Sequence, residues 1–375
     1  MTINKIEHLN FRNLKPDSFK PSAKVNVLCG KNAQGKTNIL EALWLFTGSR
    51  SFRGSKDIDL ITFGSDKGQI LMEYMAEGRA QQIKIMLNGT RNAEHNGISL
   101  DSPLRLSGKF CAVIFSPEHL ELVKNCSQLR RKFVDDGICQ LKPLHARTVA
   151  EYKKILTQRN ALLKDIPRHS ELLDTLEIWD EKLCKLGAQI IFTRLRYLKK
   201  LSEKAAGFYA GISKNSENLK LEYINNEEKI YECDITNTHS ALSTIYNLLK
   251  QSIIKTRSND IDSGFTHTGA HHDDLQIYIG GISGRNYASQ GQQRSAVLSL
   301  KLAEAAVLWE IINEPPVLLL DDVMSELDSS RQDYLLNNIE GMQVFITSCN
   351  PSWQEVLING AVFDVDAGRV TKKDN

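Results

Sequence analysis

The sequence lacks the features that mark membrane and secreted proteins. No stretch approaches the roughly 18 uninterrupted apolar residues of a membrane-spanning helix, and charged residues near the start stand where a signal peptide is apolar. The seven cysteines are an odd number, widely scattered, and include no C-x-x-C pair, so neither a disulfide framework nor a zinc knuckle is indicated. We therefore expect a cytoplasmic protein whose thiols are reduced.

An excess of one charge is also missing. The 375 residues include 47 Lys and Arg against 45 Asp and Glu, and 41% are hydrophobic, which is typical of a folded protein and not of a disordered or strongly basic one. The charge is unequal only locally. Between His119 and Ala205, 18 Lys and Arg stand against 11 Asp and Glu.

The basic residues of this segment are candidates for a phosphate-binding face. Clustered cations bind nucleic acid because they release counterions from it, but the solvated faces of long helices carry the same charges. The pattern alone favours neither interpretation. The candidates for contacting DNA are Arg130, Arg131, Lys132, Lys153, Lys154 and Arg194.

Hydrophobic periodicity divides the chain into three segments. Residues 1–118 and 262–375 predict one α/β domain that is split in sequence, and residues 119–261 predict an inserted, mainly helical lobe. Apolar residues at three- and four-residue steps over Leu172–Leu201 indicate a long amphipathic helix, separated from a shorter one by a break at 166–170. Strands are predicted at Val25–Cys29, Leu219–Ile224, Val317–Leu320 and Gln343–Thr347, and a further helix at Ala241–Lys255.

Residues 30–37 match the G-x-x-x-x-G-K-[ST] pattern of a phosphate-binding loop, directly after an apolar strand and directly before a helix. Gly30 and Gly35 allow the tight turn in which backbone N–H groups face phosphate oxygens at the positive end of the helix. Lys36 would reach the β- and γ-phosphates, and Thr37 would offer its hydroxyl to Mg²⁺. The loop therefore predicts a site for ATP and Mg²⁺.

A second apolar strand, Val317–Leu320, is followed directly by two acidic residues. In phosphate-loop ATPases a carboxylate after such a strand holds the metal, so Asp321 is the candidate metal-binding residue together with Thr37. Asp322 would position or activate the attacking water. With Lys36, these two acids are the candidate catalytic residues; the alternative is that they only cap the following helix.

A third segment, Tyr287–Ser295, is polar, centred on Gly291, and followed by an apolar helix. A helix N-terminus of this kind attracts anions. One ATP cannot use two helix N-termini for its phosphates unless the second comes from elsewhere. The simplest source is a second copy of the chain.

Together these segments resemble the ATP-binding-cassette ATPases. Ser289–Gln292 is similar to their S-G-G-Q signature, and Ser325–Asp328 is similar to the loop after their second acidic motif. Within that superfamily the chain resembles the RecF family of bacterial recombination mediators over nearly its whole length. The segments that carry this closer resemblance are Phe11–Leu14, Asn32–Asn38, Phe115–Glu118, Gln128–Asp135, Tyr152–Asn160, Ser289–Arg294 and Leu320–Asp328.

The resemblance implies an α/β fold, an ABC/SMC-type P-loop ATPase head with an inserted helical second lobe. Two heads would clamp two ATP molecules between the phosphate loop of one chain and the signature of the other, as an ATP-dependent homodimer. The nucleotide-binding residues implied by motif are Asn32, Asn38, Arg53, Ser289, Gly291, Gln292 and Asp328, beside Gly30, Gly35, Lys36 and Thr37.

The resemblance also implies a biological setting. It suggests weak, DNA-stimulated ATP hydrolysis in a nucleoid-associated protein. The dimer would bind double-stranded DNA and the junctions of double and single strands at gaps. It would act with RecR, and possibly with RecO as a further partner, to place RecA on single strands.

Two segments depart from related ATPases. The family's G-P-H-R-D-D segment is Gly269–Asp274 here, with Ala270 and His272 in place of the proline and the arginine, so no contact by that arginine carries over. Its histidines and acids could suggest a metal site, but adjacent side chains on a strand point apart. The switch histidine of transporter cassettes is absent at Ile346–Cys349, so hydrolysis should depend on Asp322 and Mg²⁺.

Two other functions are compatible with parts of the pattern. The ATP-driving subunit of a membrane transporter would carry the same nucleotide motifs, but such cassettes keep them much closer than Lys36 and Ser289 are here. A nucleotide-gated scaffold would use ATP only to join two heads. DNA loading that survives mutation of Asp322 would favour the scaffold.

Overall fold

The computed structural model describes residues 1–124, 126–225, 234–349 and 360–373. The chain divides into two compact units. The first comprises residues 1–121, 207–216 and 289–375, and the second comprises residues 122–206 and 217–288. The prediction placed all of 119–261 in the inserted lobe, whereas residues 207–216 belong to the first unit and the final return to that unit comes after residue 288. The later return leaves a strand at Asp274–Ile279 in the second unit, where it pairs with Leu219–Ile224.

The secondary structure is mixed α/β. In chain order the strands are β1 Thr2–Leu9, β2 Asp17–Phe19, β3 Val25–Cys29, β4 Gly68–Ala76, β5 Arg79–Leu87, β6 Arg91–His95, β7 Ile98–Leu100, β8 Ala112–Phe115, β9 Leu219–Ile224, β10 Asp274–Ile279, β11 Ile282–Ser283, β12 Val317–Leu320, β13 Val344–Ser348, β14 Ala361–Asp366 and β15 Arg369–Lys372. The helices are α1 Lys36–Leu45, α2 Glu121–Lys124, α3 Ser127–Leu141, α4 Pro143–Asp165, α5 Leu173–Ile212, α6 Thr238–Ser263, α7 Gly284–Tyr287, α8 Gln290–Ile312, α9 Val323–Glu326 and α10 Ser329–Asn338. Short 3₁₀ helices lie at Asp57–Leu60, Pro103–Leu106, Pro117–Leu120 and Ser170–Leu172.

A mainly parallel sheet belongs to the first unit. Its strand order is β15-β14-β3-β13-β12-β8, and neighbouring strands are parallel except for β14 with β15. The strands β8, β12 and β13 are buried at every residue, which is why β8 and β12 are apolar throughout and do not alternate. Because β13 lies between β3 and β12, the carboxyl ends of these three strands meet at one edge.

An antiparallel sheet in the order β2-β1-β4-β5-β6-β7 belongs to the same unit. Alternate residues of β4 are buried, as expected of a strand with one face on a core. One hydrophobic cluster joins this sheet to the parallel sheet and to α1, for example through Ile70, Phe345 and Trp44. This packing holds α1 with its N-terminus directly after Gly35.

The second unit contains α3, α4, α6 and most of α5, with the antiparallel sheet β11-β10-β9. The predicted helical hairpin is present, since α4 and α5 flank the break at 166–170. Arg159 contacts Asp180 and Tyr152 lies close to Gly187, so the two helices run antiparallel.

Several predicted elements have the bounds that the sequence indicates, among them β3, β9 and β12. The predicted helix at Ala241–Lys255 is longer and runs from Thr238 to Ser263. Its ends follow local signals, because Asn237 caps the N-terminus and Gly264 ends the helix in a left-handed conformation. Among the described residues, the helices are too short or too polar to cross a membrane.

A buried arginine joins three segments of the second unit. Arg159 on α4 donates to Asp180 on α5 (2.7 Å) and to Asp260 on α6 (2.8 Å). It also donates to the hydroxyl of Thr266 (2.7 Å). Both carboxylates are buried as well, so each charge depends on the others for compensation.

We expect Arg159→Leu to lower the free energy of unfolding by about 3–5 kcal/mol, because it removes the buried cation that Asp180 and Asp260 share and leaves Asp180 only the partly exposed Arg257. Urea unfolding followed by circular dichroism measures the change. Arg257→Leu is the matched control. Arg257 also donates to Asp180 (2.8 Å) but is 34% exposed, so its loss should cost less than about 1 kcal/mol. Equal losses in the two variants would contradict the role assigned to Arg159.

Candidate nucleotide-binding site

The candidate site lies at the carboxyl ends of β3, β13 and β12, the edge at which open α/β sheets bind ligands. The phosphate loop follows β3, the two acids follow β12, and β13 ends between them. The sheet order therefore brings Thr37 and Asp321 into contact although 284 residues separate them.

The phosphate loop adopts a conformation that requires glycine at two positions. Gly30 has φ 155° and Gly35 has φ 117°. A Cβ atom on Gly30 would collide with the carbonyl oxygen of Val365, and one on Gly35 would lie 2.8 Å from a methyl carbon of Leu14. Because α1 begins at Lys36, the loop ends in the unpaired N–H groups of a helix N-terminus.

The Lys36 ammonium group is held inside the loop. Its Nζ donates to the carbonyl oxygens of Gly30 (2.6 Å) and Lys31 (2.8 Å) and lies 3.4 Å from Cys349 Sγ. The Cys349 thiol in turn donates to Asn32 Oδ1 (2.8 Å). The ammonium group thus lies where the oxygens of a bound phosphate would replace the loop carbonyls as its hydrogen-bond acceptors.

The two acids are linked to the loop by threonines. Thr37 and Thr347 both donate to Oδ1 of Asp321, at 2.8 and 2.9 Å. Burial raises the pKa of Asp321, and the nearby charge of Asp322 raises it further, while the two hydroxyl hydrogen bonds lower it. Burial destabilises the charged form of a carboxylate, and a nearby cation stabilises that form. Asp321 therefore has the properties of a metal ligand, and Asp322 is exposed beside it.

A cavity of about 640 Å³ opens over the loop and the two acids, which is the size of a small-molecule site. Its walls include Asn32, Asn38 and Arg53, as well as Arg12 and Phe63. The predicted residues of the phosphate loop and of the acidic strand end are therefore brought together in one cavity.

A buried carboxylate that the sequence reasoning missed orders the arginines of this cavity. Glu41 on α1 is fully buried. Arg12 donates to it through Nε and Nη2, at 2.9 Å each, and Ser51 donates at 2.5 Å. Arg53 lies 4.0 Å from Glu41 and donates to Asn38 Oδ1 (3.0 Å). The available signal was an acid on the apolar face of the first helix, which requires a buried partner.

The residues of the cavity fit a nucleoside triphosphate with Mg²⁺. The backbone N–H groups at the start of α1 and the ammonium group of Lys36 supply positive charge for phosphates. The oxygens of Thr37 and Asp321 are the hard donors that Mg²⁺ prefers. When bound, Mg²⁺ would neutralise phosphate charge, and Arg53 adds an exposed cation at the rim.

The signature residues are placed elsewhere on the first unit. Ser289, Gly291 and Gln292 lie at the N-terminus of α8, and none of them is among the described residues that line the cavity. Ser289 Oγ accepts from the N–H of Gln292 (3.2 Å), and Gln292 Oε1 accepts from the N–H of Ser289 (2.8 Å). This reciprocal cap orders the helix N-terminus.

Asp328 is joined to the signature by an arginine. Asp328 accepts from the N–H of Arg331 (3.0 Å) and pairs with its guanidinium group. Arg331 also donates to the carbonyl oxygen of Gly291 (3.2 Å) and to Ser295 Oγ (2.9 Å). Asp328 and the signature thus form one polar surface, outside the lining of the cavity.

Two of the basic candidates for DNA contact are buried. Arg130 donates twice to Asp274, at 2.7 and 2.8 Å, and Arg194 donates twice to Asp135, at 2.9 and 2.8 Å. Their guanidinium groups hold the second unit together and do not face solvent. This corrects the prediction for both residues, because a cation neutralised in the interior cannot meet phosphate.

The other basic candidates are more accessible. Arg131 is half-buried and donates to the carbonyl oxygen of Asp273 (2.5 Å). Lys132 is exposed and pairs with Asp136 (2.9 Å). Lys153 and Lys154 are exposed on α4.

The segment Gly269–Asp274 has a structural role in the second unit. The carbonyl oxygen of Ala270 accepts from Arg194 (2.7 Å). Burial raises the pKa of Asp273 to about 6, and Tyr223 donates to its carboxylate. His272, which replaces the family arginine, is exposed. Among the described residues, no group of three or more His, Cys, Asp and Glu could hold a metal ion.

Comparisons with known proteins agree with this site. A family model described as an AAA ATPase domain matches residues 1–347. The DNA replication and repair protein RecF of Acetivibrio thermocellus is 38% identical over 92% of this chain and 93% of its own. The protein of the same name from Clostridioides difficile is 35% identical over 100% and 99%.

Solved structures confirm the predicted fold. The recombination mediator protein RecF-ATPrS of the RecFOR pathway superposes with a TM-score of 0.90 at 38% identity, over 99% of this chain and 98% of that one. RecF-ATP of the same pathway gives 0.89 at 37% identity, over 100% and 98%. An SMC head bound to the C-winged helix domain of ScpA gives 0.56 at 15% identity, over 100% and 97%. The fold is that of an ABC/SMC-type ATPase head.

We expect Lys36→Met to weaken the binding of Mg²⁺–ATP about 10- to 100-fold, since a charge-assisted hydrogen bond contributes about 1.5–3 kcal/mol. Isothermal titration calorimetry measures the affinity. Lys31→Met is the control within the same loop, because the Lys31 side chain is exposed and only its carbonyl oxygen contacts Lys36. Equal weakening in both variants would remove the special role of Lys36.

Proposed function

The chain belongs to the RecF family of DNA replication and repair proteins, and from this premise we propose that it is an ATP-dependent, DNA-binding recombination mediator. ATP would join two copies of the chain into a clamp on DNA. Slow hydrolysis would then open the clamp and reset it.

The observation that carries the proposal is the separation of two half-sites on one unit. The cavity supplies a cation, Lys36, and metal-binding oxygens, Thr37 and Asp321, for one face of Mg²⁺–ATP. Ser289 caps an exposed helix N-terminus outside that cavity. A helix N-terminus favours anions. The signature of a second copy would therefore complete the cage around the phosphates, so ligand binding would favour the dimer by mass action.

The two acids would have different roles in this cycle. Asp321, buried and bound by two hydroxyls, would hold Mg²⁺ with Thr37. Asp322 is exposed at the cavity and would orient the attacking water as a general base. Loss of the γ-phosphate would remove the group that both half-sites share, and the dimer would open.

The DNA contacts would come from the exposed cations of the second unit. Lys153 and Lys154 on α4 are exposed, and Lys132 on α3 is exposed beside Asp136. Burial lowers the pKa of Lys142, at the start of α4, and the charge of Arg196 on α5 lowers it further. Several cations on one unit would favour a polyanion such as DNA.

We further propose that the protein acts at single-strand gaps and at junctions of double and single strands. Two solved relatives, at 37% and 38% identity, are described as recombination mediators of the RecFOR pathway. RecR and possibly RecO would be the partners, and RecA loading in gap repair and replication restart would be the outcome. The site of action would be the nucleoid in the cytoplasm.

Molar mass in solution tests the clamp. We expect light scattering to show a monomer without nucleotide or with ADP, and a doubled mass with ATP and Mg²⁺ that persists longer on a gapped duplex. Asp322→Asn should keep nucleotide binding and prolong the dimer, because it removes the proposed base and leaves the phosphate contacts in place.

Three results, in molar mass, turnover or DNA loading, would count against the proposal. A monomer under every condition would mean that the signature is not used by a second copy. An Asp322→Asn variant with unchanged turnover and dimer lifetime would remove the role of Asp322. DNA loading that persists in this variant, although its turnover is lost, would favour the nucleotide-gated scaffold.

Charge reversal on α4 tests the DNA surface. We expect Lys153→Glu with Lys154→Glu to weaken DNA binding and to lower the slope of log affinity against log salt by about 2, since each phosphate contact contributes about 0.9. Fluorescence anisotropy on a labelled gapped duplex at several salt concentrations gives both quantities.

Lys20→Glu with Lys24→Glu is the charge-matched control, because both residues are exposed on the first unit. The total change in charge is the same, so a general electrostatic effect would appear in both double variants. An unchanged slope in the α4 variant would mean that these lysines only solvate the helix face and do not contact DNA.

A further inference from the structure

The end of β13 lies between the phosphate loop and the two acids. We propose that Thr347 is a positioning residue that sets the geometry of Asp321 and Asp322 for metal binding and hydrolysis. This inference rests on the proposed function, because it concerns how the same two acids are held.

The register of the parallel sheet places Thr347 beside the acids. Ile346 on β13 pairs with Leu320, the last residue of β12. The residues that follow them, Thr347 and Asp321, therefore lie side by side. On the other side of β13, Thr347 pairs with Leu28 of β3. Thr347 is 1% exposed, with β3 paired to it on one side and Asp321 beside it on the other.

The hydroxyl of Thr347 bonds to both acids at once. Its Oγ1 donates to Asp321 Oδ1 (2.9 Å) and accepts from the backbone N–H of Asp322 (2.8 Å). A hydroxyl can do this because it carries one donor and two acceptor positions. Valine has the same shape and offers neither contact, whereas serine keeps both.

The contact with Asp322 holds an unusual backbone conformation. Asp322 has φ 52° and ψ 22°, the left-handed region that side chains other than glycine seldom adopt. Such a conformation persists only where its surroundings enforce it. The hydrogen bond from the Asp322 N–H to Thr347 fixes this turn, and the turn leaves the Asp322 side chain exposed at the cavity.

The contact with Asp321 selects which carboxylate oxygen is free. Thr37 and Thr347 both donate to Oδ1, and Oδ2 has no hydrogen-bond partner within the parts of the chain that the structure covers. The two hydroxyls thus fix the rotation of the carboxylate and leave one oxygen for a cation or its water shell. Groups that orient a metal ligand in this way commonly change metal affinity or activity about 10- to 100-fold when removed.

A threonine here gives the strand end a different role from that of the switch histidine in transporter cassettes. The hydroxyl of Thr347 is bonded to both acids, so it acts through Asp321 and Asp322. Its removal should therefore affect metal-dependent binding and turnover, and should leave the metal-free contacts of the phosphate loop unchanged.

The test compares Thr347→Val with Thr347→Ser in the full chain. Calorimetry measures the affinity for the non-hydrolysable analogue AMP-PNP in EDTA and again in Mg²⁺, and the ratio gives the gain from the metal. Single-turnover hydrolysis of ATP is measured beside it. We expect Thr347→Val to keep the affinity in EDTA, to reduce the gain from Mg²⁺ about 10- to 100-fold, and to slow hydrolysis at least to the same extent. Thr347→Ser should restore both quantities to near the wild-type values.

A buried threonine at the far end of α1 provides the control for lost stability. Thr47 is fully buried, and its hydroxyl donates to the carbonyl oxygen of Trp44 (2.7 Å). Thr47→Val removes a buried hydroxyl from the same unit without touching the cavity, so it should lower the thermal midpoint and leave the gain from Mg²⁺ unchanged. Thr347→Ala replaces Thr347→Val if the valine variant does not fold.

The outcomes separate this inference from the proposed function. A wild-type protein that gains no affinity from Mg²⁺ would overturn the metal role of Asp321 and the present inference with it. A wild-type protein that gains affinity, beside a Thr347→Val variant that gains as much and hydrolyses as fast, would overturn the role of Thr347 alone. Equal effects of Thr347→Val and Thr47→Val on the gain from Mg²⁺ and on hydrolysis would mean that Thr347 contributes only to stability.

Discussion

The pairing of β13 with β3 on one side and β12 on the other is the constraint on which the nucleotide site depends. Ser348 pairs with Cys29, and Ile346 pairs with Leu320, so the acids begin two residues before the loop along β13, and Thr37 reaches Asp321. A shift of one residue would turn every side chain of β13 to the opposite face. The core that joins this sheet to α1 therefore also fixes the distance between Lys36 and Asp321.

Buried charge serves different purposes in the two units. In the first, Glu41 has no exposure, and its partner Arg12 lines the cavity, so a carboxylate in the core orders a cation for a ligand. In the second, the buried Arg159 and Arg194 are each neutralised by carboxylates and join helices to neighbouring segments. Each arrangement is stable only while every charge keeps its partner. Counting basic residues along the sequence therefore overestimates the basic surface.

The separation of the two half-sites on one chain explains how a small ligand could control assembly. The cavity offers the phosphate loop and the acids, and the signature lies with Asp328 and Arg331 on another surface of the unit. Under the proposed function, binding energy available only in the dimer would shift the equilibrium toward the dimer, and hydrolysis of the shared phosphate would remove that energy. The same chemistry would then support both the proposed clamp and its release.

Local sequence was sufficient for the features that depend on neighbouring residues. The glycines of the phosphate loop, the strand before Asp321 and the helix that follows the segment around Gly291 were all predicted from patterns within about ten residues, and they indicated the α/β head. Other features depended on segments far apart in the chain. They are the burial of Arg130 and Arg194, the role of Glu41, and the contact of Thr347 with both acids. Only folding brings those segments together, because burial and sheet register decide which charges pair and which hydroxyl meets which acid.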